Sequence, residues 1–241
     1  MQLSALVLLS LVAAAPPEEA KRKHPGYVTR KNHDPDGIGK FYMDREIAHV
    51  MGYQGAGWLE RPERVKEEGE PAALYKALEV KPGMVIADLG AGSGYHTFKL
   101  APLVGAEGKV LAVDVQPQML EILRERAKKE GVTNVDLVRS TEKDPKLKPA
   151  SVDLIVMVDV YHEFSHPFEM MEKLVAALKT GGRIAFVEFR LEDPKVQIKL
   201  VHKMSERQVI REMTPFPEME HVKTVGTLPW QHVVVFEKKA K

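Results

Sequence analysis

From residue 84 onwards, short apolar runs alternate with longer stretches whose apolar positions recur with the period of a helix. Gly131 and Gly181-Gly182 follow two of these stretches and are expected to end them. Strands alternating with helices of this length predict a parallel sheet with helices on both faces. The predicted strands are Val85–Leu89, Lys109–Val113, Val135–Arg139, Leu154–Val158 and Arg183–Glu188, and the predicted helices are Tyr95–Leu103, Gln118–Glu130 and Phe168–Leu178.

The pattern changes after the fifth strand. A helix is predicted over Ser205–Met213, where Ser205 and Gln208 have the spacing of an N-terminal capping box. Two apolar strands follow, Val222–Leu228 and Gln231–Glu237, and their short connection requires them to pair antiparallel. We therefore predict an α/β fold with a doubly wound, mostly parallel seven-stranded sheet that ends in an antiparallel hairpin.

The N-terminal third differs in composition from the rest. Leu3 to Ala15 is apolar except for two serines, which is typical of a secretory signal peptide. Further along, the apolar spacing within Phe41–Met51 predicts a short helix. The predicted organisation is a signal peptide at 1–15, a linker or extended arm at 16–36, a helical cap or lid at 37–69, and one α/β domain at 70–241.

Composition restricts the compartment and the partners. The signal peptide predicts a periplasmic or secreted protein, whereas an uncleaved segment would leave it in the cytoplasm. No apolar run reaches the roughly eighteen residues that a membrane-spanning helix needs. A net charge of +1 gives no electrostatic reason to expect a nucleic-acid partner, and the absence of cysteine excludes catalysis by thiolates.

The first predicted strand ends in the pattern Asp88-x-Gly90-x-Gly92-x-Gly94, and the second ends in Asp114. Glycines at such a turn let the backbone bend sharply and approach a ligand, and a carboxylate after the second strand is placed to accept ribose hydroxyls. The acid ahead of the first glycine would repel a pyrophosphate but suits a ligand with an ammonium group. These features together indicate a nucleotide-type site.

In these motifs the chain resembles the class I S-adenosylmethionine-dependent methyltransferases, whose Rossmann-like sheet also ends in a hairpin. Tyr161-His162-Glu163-Phe164 and Leu228 to His232 further resemble a bacterial exported group with no assigned substrate. The resemblance implies S-adenosyl-L-methionine as the cofactor. It implies that Asp88, Gly90, Gly92 and Gly94 hold the methionine portion, Asp114 the ribose, Val115 and Gln116 the adenine side, Thr141 or Glu142 the adenine amino group, and Asp159 the region of the amine and methyl group.

The loop after the fourth strand carries the candidate catalytic residues Asp159, His162 and Glu163. His162 to His166 matches the zinc-protease pattern H-E-x-x-H, but that chemistry needs a helix, and Pro167 disfavours one here. One interpretation makes His162 or Glu163 a general base toward the acceptor. The alternative is that both residues only shape the loop.

The sequence does not assign metal ligands. An alternative stays open, in which His162, Glu163, Glu188 and His202 converge at the sheet edge and hold a divalent cation. His232 alternates within an apolar strand and is expected to be a core or edge histidine.

The sequence therefore predicts a methyltransferase that acts on a small-molecule or lipid-like acceptor. The alternative is a non-catalytic S-adenosylmethionine-binding protein on the same fold. The glycine spacing and the terminal hairpin disfavour a nicotinamide dehydrogenase or an aminopropyl transferase. The acceptor atom and the oligomeric state are not indicated by any motif.

Overall fold

The structure is a computed structural model that describes residues 22–240. The predicted signal peptide at 1–15 and the first part of the predicted arm lie outside the described residues. Within the described range, no helix has both the length and the apolar character needed to cross a membrane.

A small antiparallel sheet precedes the main domain. Its central hairpin replaces the helix predicted over Phe41–Met51, and that prediction was wrong. Met43 and Asp44 both have positive φ, 47° and 69°, which forms a tight turn between two strands and stops a helix. The three strands are β1 (Tyr27–Thr29), β2 (Gly37–Tyr42) and β3 (Arg45–Ala48).

Tertiary burial explains why the hairpin forms there. Tyr42 and Ile47 are fully buried against the main domain, and Phe41 and Ala48 are buried beside them. Their spacing fits either a helix or two short strands when the sequence is considered alone. The turn residues and the packing of both strands on the domain decide between the two.

Three short helices, α1 (Ala56–Leu59), α2 (Arg64–Glu68) and α3 (Pro71–Ala77), lead into the main sheet. That sheet contains β4 (Val85–Leu89), β5 (Lys109–Asp114), β6 (Val135–Arg139), β7 (Val152–Val158), β8 (Leu178–Arg190), β9 (Lys203–Met204), β10 (Met219–Val225) and β11 (Gln231–Lys238). The strand order is β10-β11-β8-β7-β4-β5-β6, and the two-residue strand β9 pairs with β8 outside this row.

The pairing confirms the predicted fold class. Strands β4 to β8 pair parallel with one another, whereas β11 is antiparallel to both β8 and β10. Neighbouring residues of β4, Ile86 and Ala87, pack into different apolar clusters, so both faces of the sheet are covered. The covering helices are α4 (Thr97–Val104), α5 (Pro117–Glu130), α6 (Pro167–Ala177) and α7 (Glu206–Met213).

Two of the predicted caps are observed and one is not. Gly131 ends α5 in the left-handed conformation, and the Ser205 hydroxyl accepts a hydrogen bond from Gln208 N at the start of α7. The prediction that Gly181-Gly182 caps α6 was wrong. Leu178 is already extended, fully buried and paired with Val152, so the strand begins before both glycines.

A buried ion pair fixes the N-terminal hairpin to the main domain. Arg45 Nε and one terminal nitrogen donate to the two carboxylate oxygens of Glu212 on α7, at 2.7 and 2.9 Å. The other terminal nitrogen of Arg45 donates to His162 O at 3.0 Å. Glu212 is fully buried, and the guanidinium of Arg45 compensates the cost of burying its carboxylate.

Replacing Arg45 with alanine should lower the free energy of unfolding by about 3–5 kcal/mol, because it leaves the Glu212 carboxylate buried and uncompensated. The matched control is Arg211→Ala, which breaks an exposed ion pair to Asp44 between the same helix and the same hairpin. The control should cost less than about 1 kcal/mol. Urea unfolding of both variants measures the difference, and equal costs would contradict this role for Arg45.

Candidate functional site

The described residues enclose a cavity of about 500 Å³ at the carboxyl ends of β4, β5 and β7. Parallel strands present their connecting loops at this edge, which is where ligands bind in open α/β sheets. Polar groups from the strand ends form one side of the cavity. Residues of the N-terminal segment, including Met51, Trp58 and Leu59, form the other.

The glycine turn after β4 forms part of the cavity wall. Gly90 and Gly92 line the cavity and have positive φ, 68° and 55°. A Cβ on Gly90 would lie 2.4 Å from a Val160 methyl carbon, and one on Gly92 would lie 2.6 Å from Leu59 Cδ1. The absence of side chains at both positions therefore lets the turn approach Val160 and Leu59 closely.

Gly94 and Asp88 were predicted beside the ligand, but neither lines the cavity. A Cβ on Gly94 would lie 2.5 Å from Phe98 Cε2 and 2.6 Å from Leu123 Cδ2, so this glycine permits close packing of the turn on α4 and α5. Asp88 is buried and accepts a 2.5 Å hydrogen bond from the Thr97 hydroxyl. Burial raises the pKa of Asp88 to about 6, and the structure places its carboxyl as a support of the turn.

Asp114, predicted to hold the ribose, ends β5 and lines the cavity. Its two oxygens accept hydrogen bonds from Gly92 N at 3.0 Å and Gln116 N at 2.8 Å, which fix the carboxylate in one orientation. Burial raises its pKa above the usual range. Each oxygen keeps a further lone pair, so the group can accept hydrogen bonds from a ligand.

Val115 and Gln116 also line the cavity, and Gln116 has a second role that the sequence did not indicate. Its side-chain amide donates to Met51 O and accepts from Tyr53 N, both at 2.9 Å. The residue therefore joins the end of β5 to the N-terminal segment across the cavity.

The residues predicted after β6 lie at the rim. Thr141 and Glu142 line the cavity, but both are exposed, and the Glu142 carboxylate accepts a hydrogen bond from the Ser165 hydroxyl at 3.0 Å. The neighbouring Ser140 also lines the cavity and is buried. The sequence did not single it out, because a serine after a strand carries no specific signal.

Asp159 follows β7 with a positive φ of 50°. One carboxylate oxygen accepts a 2.6 Å hydrogen bond from the Gln231 side chain, and the other is buried without a partner among the described residues. Burial raises its pKa well above the usual range, and the carboxylates of Glu68 and Glu188 add to the shift. A strained backbone and an unpaired buried oxygen on a cavity wall indicate a ligand-binding position.

The loop after Asp159 forms a single 3-10 turn, Tyr161–Glu163, rather than a helix. His166 is instead the residue before α6, with its ring 3.0 Å from the Ser165 hydroxyl. The two histidines of the H-E-x-x-H pattern therefore do not share a helix face, which rules out the zinc-protease arrangement.

His162 and Glu163 line the cavity together with His202. His162 Nδ1 lies 2.6 Å from a carboxylate oxygen of Glu188 on β8, and its Nε2 lies 3.1 Å from His202 Nδ1. Glu163 accepts a hydrogen bond from Met51 N at 3.2 Å. Burial lowers the pKa of both imidazoles to about 4 and raises that of Glu163 to about 7 and that of Glu188 to about 8.

His232 is buried in β11 and does not line the cavity, as expected for a core histidine. The predicted lid region supplies cavity residues that the sequence did not name individually. Arg64 is one of them, buried and paired with Glu68 at 2.6 Å.

Comparison with known proteins gives consistent results. A sequence model described as a methyltransferase domain matches residues 80–232 of this chain. The protein-L-isoaspartate O-methyltransferase of Ignicoccus hospitalis is 31% identical over 186 residues, which cover 73% of this chain and 80% of that protein. A solved S-adenosylmethionine-dependent methyltransferase from Aquifex aeolicus superimposes with a TM-score of 0.73 and is 26% identical, covering 78% of this chain and 100% of that one.

A quinone-pathway relative matches over a shorter region. The ubiquinone/menaquinone biosynthesis C-methyltransferase of Ectopseudomonas mendocina is 29% identical over 111 residues. The match covers 46% of this chain and 43% of that protein, so less than half of the relative's length is represented.

Gly94→Ala should lower the free energy of unfolding by about 1–3 kcal/mol more than Gly105→Ala. Both glycines have positive φ, 86° and 68°, so an alanine strains the backbone at either position, but a Cβ on Gly105 meets no atom within 4 Å. Denaturant unfolding of the two variants isolates the cost of overlap with Phe98 and Leu123. Similar losses in both variants would show that Gly94 is needed only for its backbone conformation.

Proposed function

The chain belongs to the class I S-adenosylmethionine-dependent methyltransferases, and we propose that it methylates a small-molecule or lipid-like acceptor that enters the cavity beside His162 and Glu163. The observation that carries the proposal is one cavity lined by two chemically different sets of residues. We assign the set with the glycine turn and Asp114 to a cofactor end, and the set with the His162 loop and His202 to an acceptor end.

The residues of the first end fit S-adenosylmethionine. Asp114 offers an oriented carboxylate for the ribose hydroxyls, with Val115 and Gln116 beside it. The unpaired oxygen of Asp159 is the acceptor we assign to the ammonium group, next to the side-chain-free backbone of Gly90. When bound, the cofactor supplies a methyl group already activated by a sulfonium.

The second end supports an apolar acceptor with one polar group. Exposed apolar side chains of Val50 and Trp58 line the cavity, and exposed apolar side chains in a cavity are typical of ligand-binding sites. One oxygen of Glu163, which also lines the cavity, accepts no hydrogen bond from the described residues. We assign this oxygen to the polar group of the acceptor, whose proton it takes when that group is a hydroxyl.

His162 is assigned a positioning role in this proposal. Both ring nitrogens already have partners, Glu188 on one side and His202 on the other. The residue therefore holds the loop that carries Glu163 rather than meeting the acceptor directly. Holding the acceptor in line with the methyl group and excluding water are the main contributions a protein makes to such a transfer.

The acceptor class is tested by turnover. S-adenosylhomocysteine should form when the full chain is given S-adenosylmethionine and an apolar phenol or hydroquinone, and not when it is given an isoaspartyl peptide. Those two acceptor types represent the ubiquinone/menaquinone biosynthesis relative and the protein-L-isoaspartate O-methyltransferase. Turnover of the peptide alone would overturn the proposed acceptor, and cofactor binding without turnover of any acceptor would favour the non-catalytic alternative.

Asp114→Ala should weaken binding of S-adenosylhomocysteine by about 30- to 700-fold, because two hydrogen bonds to a charged acceptor are lost. The control is Asp136→Ala, which removes an exposed carboxylate on the next strand that, among the residues the structure describes, pairs only with Lys109. Calorimetry measures both affinities, with NAD as a ligand that should not bind. Unchanged affinity in Asp114→Ala would remove the ribose assignment.

A further inference from the structure

Two imidazoles and one carboxylate converge on the acceptor end of the cavity. His162 Nε2 and His202 Nδ1 are 3.1 Å apart, and Glu163 Oε1 lies 4.0 Å from the same His202 nitrogen. One donor atom from each of these three residues lies within 4.8 Å of the other two. Two ligands on a tetrahedral metal ion, each at about 2.1 Å, are separated by about 3.4 Å. The separations of 3.1 Å between the two nitrogens and 4.0 Å between Glu163 and His202 lie on either side of that value, so small side-chain movements would bring the three donors to it.

Glu188 orients the first of these ligands. Its Oε1 accepts a hydrogen bond from Tyr161 N at 3.1 Å, and its Oε2 faces His162 Nδ1 at 2.6 Å. A carboxylate in this position accepts a hydrogen bond from Nδ1–H, which leaves the lone pair on Nε2, the nitrogen that faces His202. Metal-binding histidines usually have such a carboxylate partner on the opposite ring nitrogen.

The local charge also favours a cation. Glu163 and Glu188 are both largely shielded from solvent, and within residues 22–240 neither forms an ion pair with a lysine or arginine. The guanidinium of Arg45 adds a favourable charge interaction with Glu188, but its hydrogen bonds go to Glu212 and to His162 O. Burying carboxylates with incomplete charge compensation is costly, and a divalent ion bound by Glu163 would offset that cost.

We propose that His162, His202 and Glu163 bind one divalent transition-metal ion, with Glu188 as the outer partner of His162. Two imidazoles and one carboxylate are a ligand set that Zn²⁺ and Fe²⁺ accept, with positions left open, whereas Mg²⁺ and Ca²⁺ prefer oxygen ligands. The three residues line the cavity, so the open positions face it. The sequence left a cation site of four residues open as an alternative, and the spacing of the donor atoms selects three of them as ligands.

Binding of the metal ion does not depend on the proposed function. The open positions would also let the ion hold an oxygen of the acceptor, and that part of the proposal rests on the proposed function. With the ion bound, Glu163 is a ligand rather than a proton acceptor. The two uses of Glu163 are therefore separated by measuring turnover with and without chelator.

The test is titration of the chelator-treated full chain with Zn²⁺ and with Co²⁺. We expect one ion per chain, and an absorption spectrum of the Co²⁺ form that shows imidazole coordination. His202→Ala and Glu163→Gln should each weaken binding by about 10- to 100-fold or more, and Glu188→Gln by about 10- to 100-fold through His162. His166→Ala removes a neighbouring imidazole that is outside the cluster and should leave the affinity unchanged.

Calorimetry with S-adenosylhomocysteine on the same metal-free samples separates the two proposals. Normal cofactor affinity without stoichiometric metal binding overturns the metal site and leaves the proposed function standing. Equal loss of metal in His166→Ala and His202→Ala also overturns it, because it indicates adventitious surface binding. Cofactor binding by the cluster variants also shows that they are folded, so their metal affinities can be interpreted.

Discussion

The geometry of the site depends on one buried carboxylate. Glu188 lies on β8 at the carboxyl edge of the sheet and is fully buried, and its two oxygens contact Tyr161 N and His162 Nδ1. These contacts fix the turn that follows Asp159, since the turn has no helix of its own to stabilise it. The same turn is held from the other side by Arg45, which donates to His162 O. A polar network that is satisfied in this way specifies one arrangement of the loop.

The N-terminal segment closes one side of the cavity, and the backbone of Met51 holds it there by hydrogen bonds to two side chains of the main domain. Met51 donates its amide to Glu163 and its carbonyl accepts from Gln116, so one residue joins the acceptor end to the cofactor end. Movement of the segment would break both hydrogen bonds together. Cofactor entry and acceptor entry are therefore expected to depend on the same segment.

Much of the fold was predictable because its signals are local. Strands at Val85–Leu89 and Val135–Arg139 have the predicted bounds, and the terminal hairpin pairs as expected. The N-terminal hairpin was missed because Tyr42 and Ile47 are buried by residues far away in sequence. Local periodicity carries no information about such contacts.

The site was predictable to a similar degree. Asp114 and Asp159, which the motif assigns to the cofactor, both lie at the cavity wall, because strand ends of a parallel sheet share one edge. The motif did not separate Gly90 and Gly92, which line the cavity, from Gly94, which packs between helices. The partners of Gln116 and the pairing of Arg45 with Glu212 depend on tertiary folding, so the sequence pattern does not indicate them.

We propose above all that one cavity holds the cofactor between the glycine turn and Asp114. A crystal structure of the full chain with S-adenosylhomocysteine tests it most directly: the claim requires ribose hydroxyls within hydrogen-bond distance of Asp114 and the amino-acid end beside Asp159, and a ligand bound outside this cavity would contradict it.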